Sequence, residues 1–390
     1  MRILYVTWHW PGAPAYGAQQ RTIQIGRLLQ KVGEVSLVVV NVDADGERWR
    51  ANTEKTFDIA RVVNVRPVPS SGLINRLRHE FDPRYLPPTG VDSRDRDAVL
   101  ASFQEYDIAW LHQLRSADLL RIYRWPRSVM DVDDIHSRLY DSQAQIAISG
   151  VRTLLDRRMS LIWRRRERKL SERFTVLTVS SEEDRKYLGL PKTRVLPNGF
   201  ERLHSVERHV PPEQPILGFI GTFRWMPNVE GTKWFCSEVW PSIRRRVPGV
   251  RLRLVGEGTE VARDLGEAVE GLGRVADVGP EIATWVAMVV PIRVGGGTRI
   301  KVLEGFARKC PVVATTLGAF GYGLEDGREL FVADEPDLFA SRCVELLQSP
   351  QRAQAMADRG HRRFLESWTW ESYAPIVQAA VEEALNSTNG

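Results

Sequence analysis

Only three of the 390 residues are cysteines: Cys236, Cys310 and Cys343. An odd, widely spaced set without a neighbouring histidine pair excludes a disulfide framework and a zinc site, leaving ordinary core or surface thiols. No apolar stretch reaches the roughly 18 residues of a membrane span, and the opening "MRILYVTWHW" has too short an apolar segment for a signal peptide. A cytoplasmic protein is therefore expected. The phosphate loop of adenosine-triphosphate enzymes is missing as well, because Gly297 is followed by Thr298 and Arg299 rather than by Lys and Ser or Thr.

What is present fits a folded two-domain protein. Hydrophobic residues are 43% and charged residues 26%, which leaves little room for a large disordered fraction. The length exceeds what one hydrophobic core usually supports. The net charge of +5 suits an anionic ligand or surface.

Short β-branched runs alternate with helical patterns nearly from end to end, which is the mark of βαβ units and parallel sheets, an α/β fold. Strands are expected at 2–7, 35–41, 107–112, 128–134 and 174–181, with a helix over 19–33 that places Ile23, Leu28 and Leu29 on one face. The segment 152–174 is a strongly cationic helix containing Leu154, Leu155, Leu161, Ile162 and Trp163. It reads either as a solvated face on a packed helix or as a surface for peripheral contact with an anionic membrane. A Pro-Asn-Gly turn at 197–199 and the proline-rich "HVPPEQP" at 209–215 mark a boundary. The pattern then restarts with strands at 216–223, 250–258, 287–294 and 311–316, a helix over 228–247 and a closing amphipathic helix over 370–386. The expected division is 1–200, 201–368 and a C-terminal helical segment 369–390.

Three strand-to-loop junctions of the second half are rich in glycine: "IGTF" at 220–223, "VGEGTEV" at 255–261 and "VGGGTRIKVLE" at 294–304. Glycine permits positive φ and removes the Cβ that would keep a ligand's oxygens from main-chain N–H groups, so helix starts of this kind favour phosphate. The middle junction matches two of the three glycines of a dinucleotide fingerprint, with Val261 at the third place, and reads equally as a tight turn. In the last junction Gly295, Gly296 and Gly297 precede Arg299, which opens a helix carrying Lys301 and, about one and a half turns in, Glu304. An ionised carboxylate accepts from two adjacent ribose hydroxyls. The spacing suggests diphosphate on the loop and sugar hydroxyls on the helix; the other reading is a Lys301–Glu304 pair on a solvated face.

Taken together, "LPNGF", "GFIGTFRWMPNVEGTKWF", "RLRLVGEG", "VVPIRVGGGTRIKVLEGFARKCPVVATTLGAFG" and "ESWTWESY" resemble the large GT-B family of retaining, nucleotide-sugar-dependent glycosyltransferases called family 4. The resemblance runs almost continuously through the second half and covers the first by pattern. It implies two Rossmann-like doubly wound domains facing across a cleft, a C-terminal helix crossing back to the N-terminal domain, a uridine- or guanosine-diphosphate sugar in the second domain and an acceptor in the first. It also implies no metal and no separate cofactor, since helix N-termini and basic side chains neutralise the leaving diphosphate.

Residue by residue, Glu304 matches the second glutamate of the family's Glu-x7-Glu motif, the ribose ligand, while the first falls on Gly296. This departure resembles a subgroup carrying Gly-Gly-Gly-Thr-Arg. Arg224 stands near the family's arginine, Asn228 occupies the region of its lysine, and Arg299 and Lys301 are candidate substitutes for the missing charge. Gly221, Thr222, Gly256 and Thr298 complete the implied donor set, with Gly17 from the Gly-rich loop after the first strand. On the acceptor side the resemblance implies Trp8, His9 and Trp10, the tryptophans suited to stacking on a sugar ring or to core packing. It also implies Asp131, Asp133, Asp134 and His136, with Asp133 the first choice for a catalytic role and helix capping the plainer alternative. A nucleotide-sugar epimerase shares the architecture, and a nicotinamide-dependent oxidoreductase or a non-catalytic sugar-nucleotide binder are the more distant readings.

Overall fold

A computed structural model describes residues 1–13, 18–43, 45–67, 89–146, 149–210 and 212–387. The backbone separates into two compact units, Met1–Pro197 with Tyr373–Gly390, and Asn198–Ser372.

In the first unit, β1 (Arg2–Thr7), β2 (Glu34–Asn41) and β3 (Asp58–Asn64) run to one side. A two-stranded ribbon, β4 (Arg66–Pro67) with β5 (Thr89–Gly90), leads to β6 (Ile108–His112), β7 (Trp125–Asp133), β8 (Phe174–Val179) and β9 (Thr193–Val195) on the other. The seven-stranded order is β3-β2-β1-β6-β7-β8-β9, all parallel. The strand order reverses between β1 and β6, and ligands of open α/β sheets bind beyond the carboxyl ends at such a point. The central strands are near-continuous apolar runs because both faces are covered. Leu4, Val6, Val38, Leu111, Met130 and Leu177 are fully or almost fully buried in one cluster. The edge strand β3 was not anticipated, since Asp58 and Arg61 interrupt its apolar pattern as edge exposure allows.

The closing helix Ala374–Asn386 packs on this same unit, against β7, β8 and the helix Ala18–Gln30. Val377, Ala380, Val381 and Ala384 recur at helical spacing and are buried, and Glu383 bonds Arg194 Nε at 2.7 Å. The expected return of the C-terminal helix to the N-terminal domain is what the structure shows.

The second unit is a six-stranded sheet of β10 (Ile216–Ile220), β11 (Arg251–Val255), β12 (Val269–Gly271), β13 (Ala287–Val290), β14 (Val312–Ala314) and β15 (Phe331–Val332). Its order β12-β11-β10-β13-β14-β15 is again parallel and reverses between β10 and β13. The loops leaving those two strands are the first and third glycine junctions. The expected helix over 228–247 is divided into Met226–Trp234, a π-turn Phe235–Val239 and Trp240–Arg246. Pro241 has no N–H to continue the helical ladder, and the chain widens by a residue before it. All three cysteines are buried, and burial pushes the Cys236 and Cys310 thiols up to about 12, a backbone hydrogen bond at Met288 opposing the rise at Cys310.

Candidate functional site

In the second unit the three glycine junctions meet at the carboxyl ends of the strands. Gly256 has φ 133°, and a Cβ there would stand 2.0 Å from the Gly221 carbonyl oxygen, so the loops after β10 and β11 are pressed backbone to backbone. The loop after β13 uses positive φ at Gly295 (131°) and Gly297 (68°) before the helix Ile300–Ala307 begins. A Cβ on Gly295 would meet the Arg299 guanidinium at 2.4 Å, so the missing side chain is where the arginine lies. Arg299 caps the helix with extended backbone and is buried, with its guanidinium carbon 5.4 Å from the Trp225 ring centroid. Thr298 is buried too, and its Oγ1 accepts from Asn198 Nδ2 at 2.9 Å.

Asn228 joins these pieces. Its Nδ2 donates to the Thr222 carbonyl at 2.8 Å, and its Oδ1 accepts from Lys301 Nζ at 2.7 Å. Lys301 therefore turns inward, over the Phe219 ring at 4.6 Å, rather than outward on the helix. Burial, then repulsion from Arg299, lowers its ammonium to about 7, with Glu304 acting in the opposite direction. Glu304 keeps only 16% of its side-chain surface exposed and lies 3.6 Å from Arg308 Nε. Burial raises its carboxyl from the ordinary value, and Arg308 opposes that rise. Lys301 and Glu304 thus have separate partners and do not pair on a solvated face. Arg224 is not gathered in: its side chain is 79% exposed and pairs with Glu257 at 2.9 Å.

The first unit assembles a second cluster at the carboxyl ends of β1, β6, β7 and β8. Strand register sets His112 beside Asp131 and Asp131 beside Thr178. Asp131 is wholly buried and accepts from Arg21 Nε (2.9 Å) and Nη2 (2.6 Å) and Thr178 Oγ1 (2.8 Å), and it stands 2.9 Å from His112 Nδ1. Burial raises its carboxyl, but Arg21 and the His112 contact outweigh this and hold it well below the usual range. Arg21 also donates to the Leu196 and Pro197 carbonyls, and Asp133 is 3.7 Å from its Nε. His112 Nε2 is buried without a hydrogen-bond partner.

Two residues here hold positive φ without being glycine, Gln113 (58°) and Asp133 (61°), and Gln113 Nε2 donates to Asp133 Oδ2 at 3.1 Å. Backbone strain of this kind is kept where the surroundings over-determine it, and it gathers at ligand sites. Trp8 belongs to the same group, its Nε1 donating to Gln113 Oε1 at 2.8 Å beneath the Arg115 guanidinium. His9 lies against Trp8, and burial, then His112 and Arg115, lower its imidazole to about 3, so it is neutral. Trp10 is instead core, buried and bonded to Asn41 Oδ1 at 3.0 Å. His136 stacks on Trp163 with centroids 4.2 Å apart, and burial lowers it to about 4. Asp134 is half-buried beside it. Gly17 lies outside the described residues.

Sequence reasoning missed Arg21, His112 and Gln113. The available signal was a polar residue closing the fully buried strand "IAWLH", at the end where ligands bind. A depression of about 580 Å³ lined by Arg124, Trp125 and Phe174 opens at the amino ends of β7 and β8, the far end of those strands from Asp131.

Residues 214–349 match the family described as Glycosyl transferases group 1. The chain is 32% identical over 202 residues to the GDP-mannose-dependent alpha-(1-6)-phosphatidylinositol monomannoside mannosyltransferase of Mycolicibacterium smegmatis, covering 47% of this chain and 52% of that protein. It is 22% identical over 137 residues to an uncharacterized protein of the cps region of Klebsiella pneumoniae, covering 35% of that one. The chain thus spans about half or less of the length of these curated relatives. Among solved structures it resembles sucrose-phosphate synthase from Thermosynechococcus elongatus, with TM-score 0.71 and 17% identity over 99% of both chains. It also resembles Anabaena HepE in complex with UDP-glucose, with TM-score 0.64 and 15% identity over 99% of this chain and 100% of that one. The chain has the GT-B fold, and the sheet and glycine loops of its second unit lie within a Glycosyl transferases group 1 segment.

Proposed function

We propose that the protein is a retaining glycosyltransferase that moves a hexosyl unit from a uridine- or guanosine-diphosphate sugar to a hydroxyl of a glycan, lipid-linked or small-molecule acceptor. The observation that carries this reading is the convergence of the 295–299 loop, Lys301 and Glu304 at the carboxyl ends of β10 and β13. In this reading the diphosphate rests on the amides of Gly296 to Thr298, the Lys301 ammonium compensates its charge, and Glu304 accepts from both ribose hydroxyls. The family match over 214–349 and the UDP-glucose bound to the HepE structure support a nucleotide sugar as donor. The mannosyltransferase match supports transfer as the reaction class.

The proposed chemistry is a front-face displacement. The bond from the anomeric carbon to the β-phosphate oxygen breaks and the acceptor oxygen bonds to the same face. The acceptor's proton goes to the departing diphosphate. Lys301 and the helix start hold the developing charge, so no metal is needed. Asp133, strained and bonded to Gln113, orients the acceptor hydroxyl, with Trp8 and His9 beside it.

A thermal-shift series with uridine and guanosine diphosphates names the base, because a tight ligand stabilises the folded state by mass action. Transfer with retained configuration and undiminished rate in chelator supports the reading. A new sugar nucleotide formed from donor alone establishes an epimerase instead.

A further inference from the structure

The helix Gly150–Glu167 presents Val151, Leu154, Leu155 and Leu161 at 71%, 67%, 50% and 61% exposure, while it buries Ile162 and Trp163. Spacings of three, four and six or seven residues put these four on one side over about three turns. The opposite side is pinned by Trp163 stacked on His136 and by Arg164 bonded to Asp141 at 2.5 Å. Single exposed apolar residues are ordinary, whereas a contiguous stripe marks an interaction surface.

Cations stand among and beside these apolar residues: at about 100° per residue Arg158 and Arg165 fall within their sector, and Arg157 and Arg168 at its edge. Residues 150–169 hold eight Lys and Arg against two acids, Asp156 and Glu167, both buried, so this segment outweighs the +5 of the whole chain. Arg157, Arg165 and Arg168 are exposed, and no acid stands within ion-pair range of them among the described residues. No helix among the described residues is long and apolar enough to cross a membrane. A surface helix whose exposed leucines stand among arginines can set apolar side chains and cations together against a bilayer interface.

We propose that this face docks on an anionic lipid surface, with Leu154, Leu155 and Leu161 entering the acyl boundary and Arg157, Arg165 and Arg168 set against headgroup phosphates. A second copy of the chain fits poorly, because a two-fold contact would bring two such cationic segments together. The docking does not depend on glycosyl transfer, so its failure leaves the proposed function standing, and the nucleotide shift tests that separately.

The test is co-sedimentation of the full chain with phosphatidylcholine vesicles and with vesicles containing phosphatidylglycerol. Binding is expected to the anionic vesicles only and to weaken as salt rises. The double substitution Leu154→Ser with Leu161→Ser lowers partitioning about tenfold or more. Arg157→Gln with Arg165→Gln removes most of the salt-sensitive part. Both variants change exposed side chains and retain the wild-type melting temperature and nucleotide shift. Failure to bind anionic vesicles, equal binding to both vesicle types, or unchanged binding by the leucine variant overturns the proposal. So does a lipid-free dimer that the leucine substitutions abolish.

Discussion

Lys301 Nζ donates to Asn228 Oδ1 at 2.7 Å, tying the helix that follows the triple glycine to the helix Met226–Trp234 that follows β10. Asn228 stands where the resemblance places a lysine, and Lys301 brings an ammonium to it from a different helix. A cation is present at that place although the local sequence there does not encode one.

Burial sets this lysine's ammonium near 7, and a bound diphosphate favours its charged form. Nucleoside diphosphate binding at roughly pH 8 is therefore expected to take up a proton, so the calorimetric enthalpy varies with the buffer's ionisation heat. Affinity falls as pH rises through about 7, and Lys301→Met flattens that dependence. For stability the sign is opposite. The group's folded value lies below its unfolded one, so its penalty is fully present below about 7 and fades as pH rises toward the unfolded lysine value.

Glu304→Gln keeps the shape but loses the charge-assisted acceptor. Nucleoside diphosphate affinity should fall by about tenfold to a hundredfold. Arg308 retains Glu207 at 3.7 Å, so the melting temperature without ligand should move little. The thermal shift measures both at once.

Gly295→Ala places a methyl group where the Arg299 guanidinium lies and imposes a side chain on φ 131°. The nucleotide-induced shift should disappear while the rest of the fold, followed by circular dichroism, survives.

Asp131→Ala leaves Arg21 buried without its bidentate partner. A loss of about 3–5 kcal/mol is expected in urea unfolding. The carboxyl is depressed in the folded state, so its contribution is present above the unfolded value and is lost as pH falls through the folded one. The wild-type protein should weaken in acid below about pH 4, and the variant should show less of that dependence.

Asp133→Gly relieves a positive φ at the cost of a side chain proposed to orient the acceptor. Stability should rise by about 1 kcal/mol while turnover drops at least about tenfold. Equal turnover would make Asp133 a structural residue only.

The architecture was legible because buried parallel strands write themselves as β-branched runs, as in "RILYVT" and "AMVV", with glycine where the chain leaves them. Weakly patterned elements were not. The edge strand β3 keeps charged residues, and the break before Pro241 follows from a hydrogen bond that only a drawn helix reveals as missing. The exposure of Leu154 and Leu161 beside buried Ile162 and Trp163 was also invisible, since all four read alike as apolar.

The sequence by itself determined the local chemistry: two sets of βα units, three glycine loops that admit close backbone approach, and a helix on which Lys301 and Glu304 sit three residues apart. Tertiary structure decided which groups meet. Arg21 reaches Asp131 across 110 residues, Lys301 reaches Asn228 across 73, and Arg224 stays at the surface. Spacing along one chain fixes neighbours within a helix or strand, but strand order and register place distant polar ends side by side. Burial there sets their charge.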